Sequence, residues 1–289
     1  MHFVKAKTIL SAHNGMNIYR GCQHGCIYCD SRSACYGMGH DFEDIEVKEN
    51  ALELLDAALR RKRCRCMIGT GSMSDPYMPL ENELGYTRRA LELIHRHGFG
   101  ATVLTKSDAV LRDLELLSAI NESAKAVVQM TLTTCDEALC RIIEPGVCGT
   151  QARFRALMKL RKAGIPTVVW LCPILPYIND SEDNIRSILD YCAQAGVYGI
   201  VNFGMGLTLR QGSREYCYRM LDRHFTGLKE RYMREYGLAY ELLSPNSARL
   251  EAIFRETCEK AGITHDNDRI FRYLNELESG DSAQLSLFE

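Results

Sequence analysis

Short apolar runs alternate with amphipathic stretches through most of the chain, and the alternation predicts six repeats of strand then helix. Strands are expected at residues 16–19, 66–69, 101–105, 126–132, 167–172 and 198–203. Between them apolar positions recur at helical spacing, as Leu52, Leu55 and Leu59 do within 51–61. Further helices are expected over 84–97, 110–120, 151–163 and 184–195. The strands are apolar nearly throughout. Strands buried on both faces belong in a parallel sheet covered by helices, so the pattern reads as a barrel-like α/β unit over residues 1–212. Beyond it the pattern changes to helices alone, over 214–236, 247–261 and 269–278, with Pro245 as the break and Asn246 or Ser247 available as a cap. These form a helical C-terminal extension over 213–278, and residues 279–289 read as a frayed, flexible tail.

Composition sharpens this picture in two places. With 35 Lys+Arg against 37 Asp+Glu the net charge is −2, which argues against a protein whose affinity comes from neutralising phosphates in bulk. The 13 cysteines are odd in number and sit in a long chain without a signal-like start, so they do not suggest a disulfide framework. A reducing, cytoplasmic setting is expected, with free thiols or metal ligands. No membrane span is expected either: the longest apolar stretch, 165–178, holds three prolines and falls short of the ~18 residues a span needs.

The strongest chemical signal follows the first strand: Tyr19-Arg20-Gly21-Cys22-Gln23-His24-Gly25-Cys26-Ile27-Tyr28-Cys29. Three cysteines at C-x3-C-x2-C spacing on a glycine-containing loop can hold three corners of an iron–sulfur cubane and leave the fourth iron open. A zinc site completed by His24, His40 or Cys35 is an alternative reading, and so is a loop with chance cysteines.

From Asn14 to about Gly206 the sequence resembles the radical S-adenosylmethionine superfamily, and within it the spore photoproduct lyase-like group. The resemblance rests on the cysteine stretch and on Gly69 to Tyr77 (GTGSMSDPY), Leu104-Thr105-Lys106-Ser107, Thr131-Leu132-Thr133-Thr134, Glu144-Pro145 and Pro173-Ile174-Leu175-Pro176. Each falls at or just beyond the C-terminal end of an expected strand, where barrels build active sites. The resemblance implies a partial (β/α)6 radical-SAM barrel with a [4Fe-4S] cluster on Cys22, Cys26 and Cys29. The open iron would chelate S-adenosylmethionine, and an electron from a low-potential donor such as flavodoxin or ferredoxin would cleave it to a 5′-deoxyadenosyl radical. Tyr28 would lie against the adenine, or pack the cluster loop. Ser74 and Asp75 would face the methionine ammonium, or form a turn ahead of Pro76. Lys106 would hold the carboxylate, or end a strand in solvent. Thr131 and Thr133 alternate along the fourth strand and so share a face, from which their hydroxyls could reach ribose or carboxylate; core threonines are the plainer reading. Glu144-Pro145 reads as a loop anchor without chemistry.

In the lyases, as the resemblance would have it, a cysteine just before the Ser-Asp pair returns a hydrogen atom to the product. Here Ser72 and Met73 stand there, and neither is a ready donor. Cys135 and Cys172 sit where a substitute thiol could act, or are small buried residues. Arg60 to Arg65 carries five cations in six residues, at the barrel end opposite the expected site. Arg210, Arg214, Arg219 and Arg223 are better placed to meet an anionic substrate, or form the wet face of a helix. Gln284-Leu285-Ser286-Leu287-Phe288 resembles the peptide by which bacterial repair proteins bind the DNA sliding clamp. The expected function is radical chemistry on an unidentified substrate linked to nucleic acid. The alternatives are modification of a protein or metabolite, and a non-catalytic Fe–S or zinc adaptor tethered to the clamp.

Overall fold

Residues 1–277 are described by the structure, a computed structural model. Four short strands, β1 (His2–Val4), β2 (Gly15–Met16), β3 (Tyr19–Arg20) and β4 (Glu46–Lys48), precede α1 (Ala51–Arg61) and β5 (Met67–Thr70). Next come α2 (Glu81–Leu84), α3 (Tyr86–Arg96) and β6 (Gly100–Thr105), then α4 (Leu114–Ser123) and β7 (Ala126–Thr131). Then α5 (Glu137–Ile143), α6 (Thr150–Lys162) and β8 (Thr167–Trp170) are followed by α7 (Glu182–Ala195) and β9 (Gly199–Val201). After β10 (Gly206–Thr208) the extension holds α8 (Ser213–His224), α9 (Leu228–Tyr236), β11 (Glu241–Leu243), α10 (Ser247–Ala261) and α11 (Asn267–Asn275).

The main sheet has six strands in the order β2-β5-β6-β7-β8-β9, every pair parallel, as the apolar runs required. Alternation along the strands divides the core. Ile68, Val103, Val128, Val169 and Ile200 face the helices, whereas Met67, Val127, Val168 and Val201 face the lumen. Above that apolar floor the indole N–H of Trp170 donates to Gln129 at 2.8 Å, and Gln129 donates to Thr102 at 2.8 Å. This polar chain crosses three neighbouring strands and separates the floor from the open upper end. Helix α11 fills the lower lumen, with Ile270 and Leu274 packed on Met67, Val127 and Val168. Its C-terminal carbonyls, of Tyr273 and Glu276, accept from the Lys125 ammonium at 2.7 and 3.0 Å, a cation where a helix end favours one.

Four expectations change. The first strand is two: Gly15–Met16 joins the main sheet beside β5, while Tyr19–Arg20 pairs antiparallel with β4 in a separate sheet of order β1-β4-β3. The extension is not helical throughout, because Glu241–Leu243 returns to pair antiparallel with Gly206–Thr208. The helix expected over 214–236 breaks between His224 and Leu228, where Gly227 takes φ +77°. Asn246 takes the cap position of α10 as expected, but its side chain makes no cap hydrogen bond, and Ser247 is already helical. Among the described residues no helix is long and apolar enough to cross a membrane. The tail and its clamp-like motif lie outside the described residues.

Candidate active site

A cavity of about 580 Å³ opens at the C-terminal ends of the sheet strands. Its lining gathers Cys22, Cys26, Tyr28, Cys29, Ser74, Asp75, Lys106, Thr131 and Cys172. Two nominated residues stand elsewhere. Strand β7 ends at Thr131, and Thr133 is wholly buried beyond it with its hydroxyl turned to Glu144 at 3.3 Å. Cys135 lies outside the cavity lining, on a loop held by its backbone N–H donating to Asn184.

The cysteine loop is fixed from three sides. Gly21 precedes it at φ +90°, and the N–H of Cys22 donates to Phe42. On the second side residues 143–146 run beside the loop: Ile27 N–H donates to the Ile143 carbonyl at 3.0 Å, and Gly146 N–H donates to the His24 carbonyl at 2.9 Å. Gly146 has to be glycine, since a Cβ there would stand 2.7 Å from the Gln23 oxygen and 2.9 Å from the His24 Cα. On the third side is a buried ion pair. Glu144 accepts from Arg153, and its other oxygen accepts from the hydroxyls of Tyr28 and Thr133. Arg153 also donates to the carbonyls of Thr131 and Cys148. Burial opposes ionisation of Glu144, but Arg153 and then Lys106 outweigh it and hold the carboxyl below its usual range.

His24, between two of the cysteines, is buried; its Nδ1 stands 2.9 Å from the Gly146 carbonyl, and its Nε2 lies 3.1 Å from Asp75 without the alignment of a hydrogen bond. Asp75 is held by the N–H groups of Tyr77 and Lys106 and by the Thr105 hydroxyl, at 2.7 to 2.9 Å. Burial raises its pKa, yet facing His24 and these donors bring it down to about 2. Its neighbour Ser74 donates to the Gly21 carbonyl at 2.5 Å, tying the loop after β5 to the cysteine loop. Lys106 is the cation of the cavity. Burial alone would lower its pKa, but Cys26, Glu144, Asp75 and Cys29 raise it, so the ammonium stays charged.

All thirteen cysteines are free thiols. Burial, with Asp75 adding to it, pushes the Cys22 thiol up to about 12, while backbone N–H groups of His24 and Asp75 pull the other way. Buried thiolates of this kind are made stable by a bound metal. A single zinc with Zn–S bonds of about 2.3 Å would bring its sulfurs to about 3.8 Å from one another. Among the described residues the only three such groups within 4.8 Å of each other are His2, His40 and Asp44; the loop cysteines are not a set of that spacing. Three thiols not all that close together, on one loop at a cavity wall, suit a cluster in which each would take its own iron.

Sequence reasoning missed Glu144 as a hub, Arg153 and the role of His24. Arg153 left a readable trace: with Leu157 and Leu160 it occupies the apolar stripe of α6, where a charge needs a buried partner. Of the four arginines nominated after β9, Arg214 is buried and donates to the carbonyls of Leu209, Leu238 and Ala239, clamping the ends of the β10–β11 pair together. Arg210 is the one held at the cavity rim, donating to the Tyr240 hydroxyl at 2.7 Å.

Residues 16–207 match the profile of the radical SAM superfamily. An uncharacterized protein of Mycobacterium tuberculosis is 31% identical over 76% of this chain and 66% of its own length, so the chain spans just under two thirds of that relative. A radical SAM Nalpha-GlyT isomerase of Pseudomonas phage M6 is 24% identical over 61% of this chain and 35% of its own. Among solved structures, a spore photoproduct lyase mutant with bound AdoMet and dinucleoside spore photoproduct superposes with a TM-score of 0.60 at 14% identity, over 84% of this chain and 72% of that one.

Proposed function

Because the chain belongs to the radical S-adenosylmethionine superfamily, whose members use a [4Fe-4S] cluster and S-adenosylmethionine, we propose that it removes a hydrogen atom from a substrate linked to nucleic acid. The observation that carries this reading is the convergence of three loop cysteines, one charged lysine and a deep cavity at the strand ends. A bound cluster would supply one-electron reduction of the sulfonium, the electron coming from a low-potential donor such as flavodoxin or ferredoxin, and so would make a 5′-deoxyadenosyl radical available to the substrate.

The chain's own residues do the rest. Cys22, Cys26 and Cys29 would hold the cluster. Lys106 would meet the carboxylate of S-adenosylmethionine with a charge-assisted hydrogen bond. Asp75 has its oxygens committed to the loop, so it would act on the ammonium through its charge, with Ser74 beside it. The Tyr28 ring would flank the adenine, and the Thr131 hydroxyl would face the ribose. Cys172 is the thiol outside the cysteine loop that lines the cavity, as do Ser72 and Met73, neither of which is a ready hydrogen donor. It would supply or relay a hydrogen atom. The nucleic-acid assignment draws support from the lyase, whose solved complex holds a dinucleoside.

The test is 5′-deoxyadenosine formation by anaerobically reduced, iron-replete protein, with and without duplex DNA. Slow release alone and a severalfold rise with DNA are expected. Iron-replete protein that forms none disproves the radical reading, and release indifferent to DNA removes the nucleic-acid assignment.

A further inference from the structure

At the sheet edge opposite the cysteine loop, the cavity wall is made of rings. Phe203, just past β9, lies 6.0 Å from Phe271 of α11 at 20° and 5.8 Å from Trp170, while Trp170 meets Phe271 edge-on at 6.0 Å. Phe203 lines the cavity with 61% of its surface exposed. A bare phenyl ring forgoes a stabilisation that it could gain by folding down onto the core. This one has no room to do so. Phe271 and Trp170 fill the space behind it, and Trp170 is itself pinned by Gln129. The rim continues through Tyr240, 45% exposed, which holds the Arg210 guanidinium.

We propose that Phe203 is the specificity residue of the substrate subsite, and that its open face stacks the base of a nucleotide whose phosphates pass the Arg210–Tyr240 rim. A flat, supported ring with no hydrogen-bonding group selects for a π-face and tolerates different ring edges, which is how single-stranded nucleic acid is held by aromatic platforms. Arg210 brings a cation to the mouth for a phosphate to meet, though it also faces the cavity-lining Asp30 at 3.8 Å. The adenine of S-adenosylmethionine is the competing occupant, but the groups suited to that cofactor, Lys106, Ser74 and Tyr28, stand on the cysteine side. This inference deepens the nucleic-acid reading and rests on it.

The experiment measures fluorescence anisotropy of a labelled oligothymidylate and of an abasic oligonucleotide of equal length, on cluster-loaded protein saturated with S-adenosylhomocysteine. Wild type is expected to prefer the base-bearing strand by roughly 5- to 150-fold, the range a stacked base provides. Phe203→Ala and Phe203→Leu should both abolish the preference, the leucine because it keeps apolar bulk without a ring, and Phe203→Trp should retain it. Equal binding of both strands by wild type, or a preference that survives in Phe203→Leu, overturns the proposal. So does a larger loss of S-adenosylhomocysteine affinity than of oligonucleotide affinity in Phe203→Ala. Failure of the radical reading shows separately, as absent 5′-deoxyadenosine from wild type.

Discussion

The two sides of the cavity are built on opposite principles. On the cysteine side almost every polar group already has a partner: Glu144 with Arg153 and Tyr28, Asp75 with Thr105 and two backbone N–H groups, Ser74 with Gly21. On the other side Phe203, Tyr240 and Leu243 stand open to solvent. A buried network with its bonds satisfied holds one geometry and gains little from further contact, whereas an open apolar wall is stabilised only when something covers it. The contrast suits a site that must hold one cofactor rigidly while receiving a separate molecule.

The strongest way to break this contrast is to remove the three cysteines proposed as cluster ligands. Serine at Cys22, Cys26 or Cys29 should abolish the visible iron–sulfur absorption and 5′-deoxyadenosine formation together; a variant that keeps both would clear that cysteine of ligand duty. Next in size is the brace. Glu144→Ala leaves the Arg153 guanidinium buried and unpaired, which costs about 3–5 kcal/mol, with Glu144→Gln falling between it and wild type. An unchanged melting temperature in Glu144→Ala would show that the pair holds nothing.

Lys106→Ala should weaken S-adenosylmethionine binding by about 10- to 100-fold, the share of one charge-assisted hydrogen bond. Equilibrium dialysis measures it, and an unaltered dissociation constant refutes the assignment. A comparison of two thiols is finer. Burial pushes Cys172 up to about 12 against the pull of Lys106, so through the neutral range it is the protonated S–H that can give a hydrogen atom. Its alkylation by iodoacetamide should stay slow at pH 7 to 9 and rise only as the pH approaches that value. Cys172→Ser should lower substrate turnover severalfold and Cys135→Ser should not; equal rates in both would end the relay idea. The smallest effect on activity is expected from ending the chain at Ala283. That truncation should leave 5′-deoxyadenosine formation intact and abolish retention on immobilised sliding clamp, and equal retention removes the clamp as a partner.

What could be read in advance was what recurs locally. Parallel strands announced themselves because both faces are apolar, and the cysteine loop because its spacing is fixed by the cluster it fits. Pairings between distant segments left no such mark. Met16 and Tyr19 look like one strand, since apolar character does not record that a chain changes sheets at Asn17 and Ile18. Glu241–Leu243 carries no sign of its partner, which lies beyond two intervening helices. Thr133 shares a face with Thr131 only if the alternation of β7 is carried past the strand's real end at Thr131. Glu144 was visible as a motif, yet its meaning depends on Tyr28 and Arg153, which meet it only once the barrel is closed.

Helix α11 has a consequence for when the cavity exists at all. The ring behind Phe203 belongs to a helix far downstream of the cysteine loop, and the same helix plugs the lower lumen. A ribosome that has released all six sheet strands has made the cofactor side but not the wall that faces it. The proposed radical chemistry would thus have a complete vessel only after nearly the whole described chain has been synthesised, since the chain's own order places the ring behind Phe203 last.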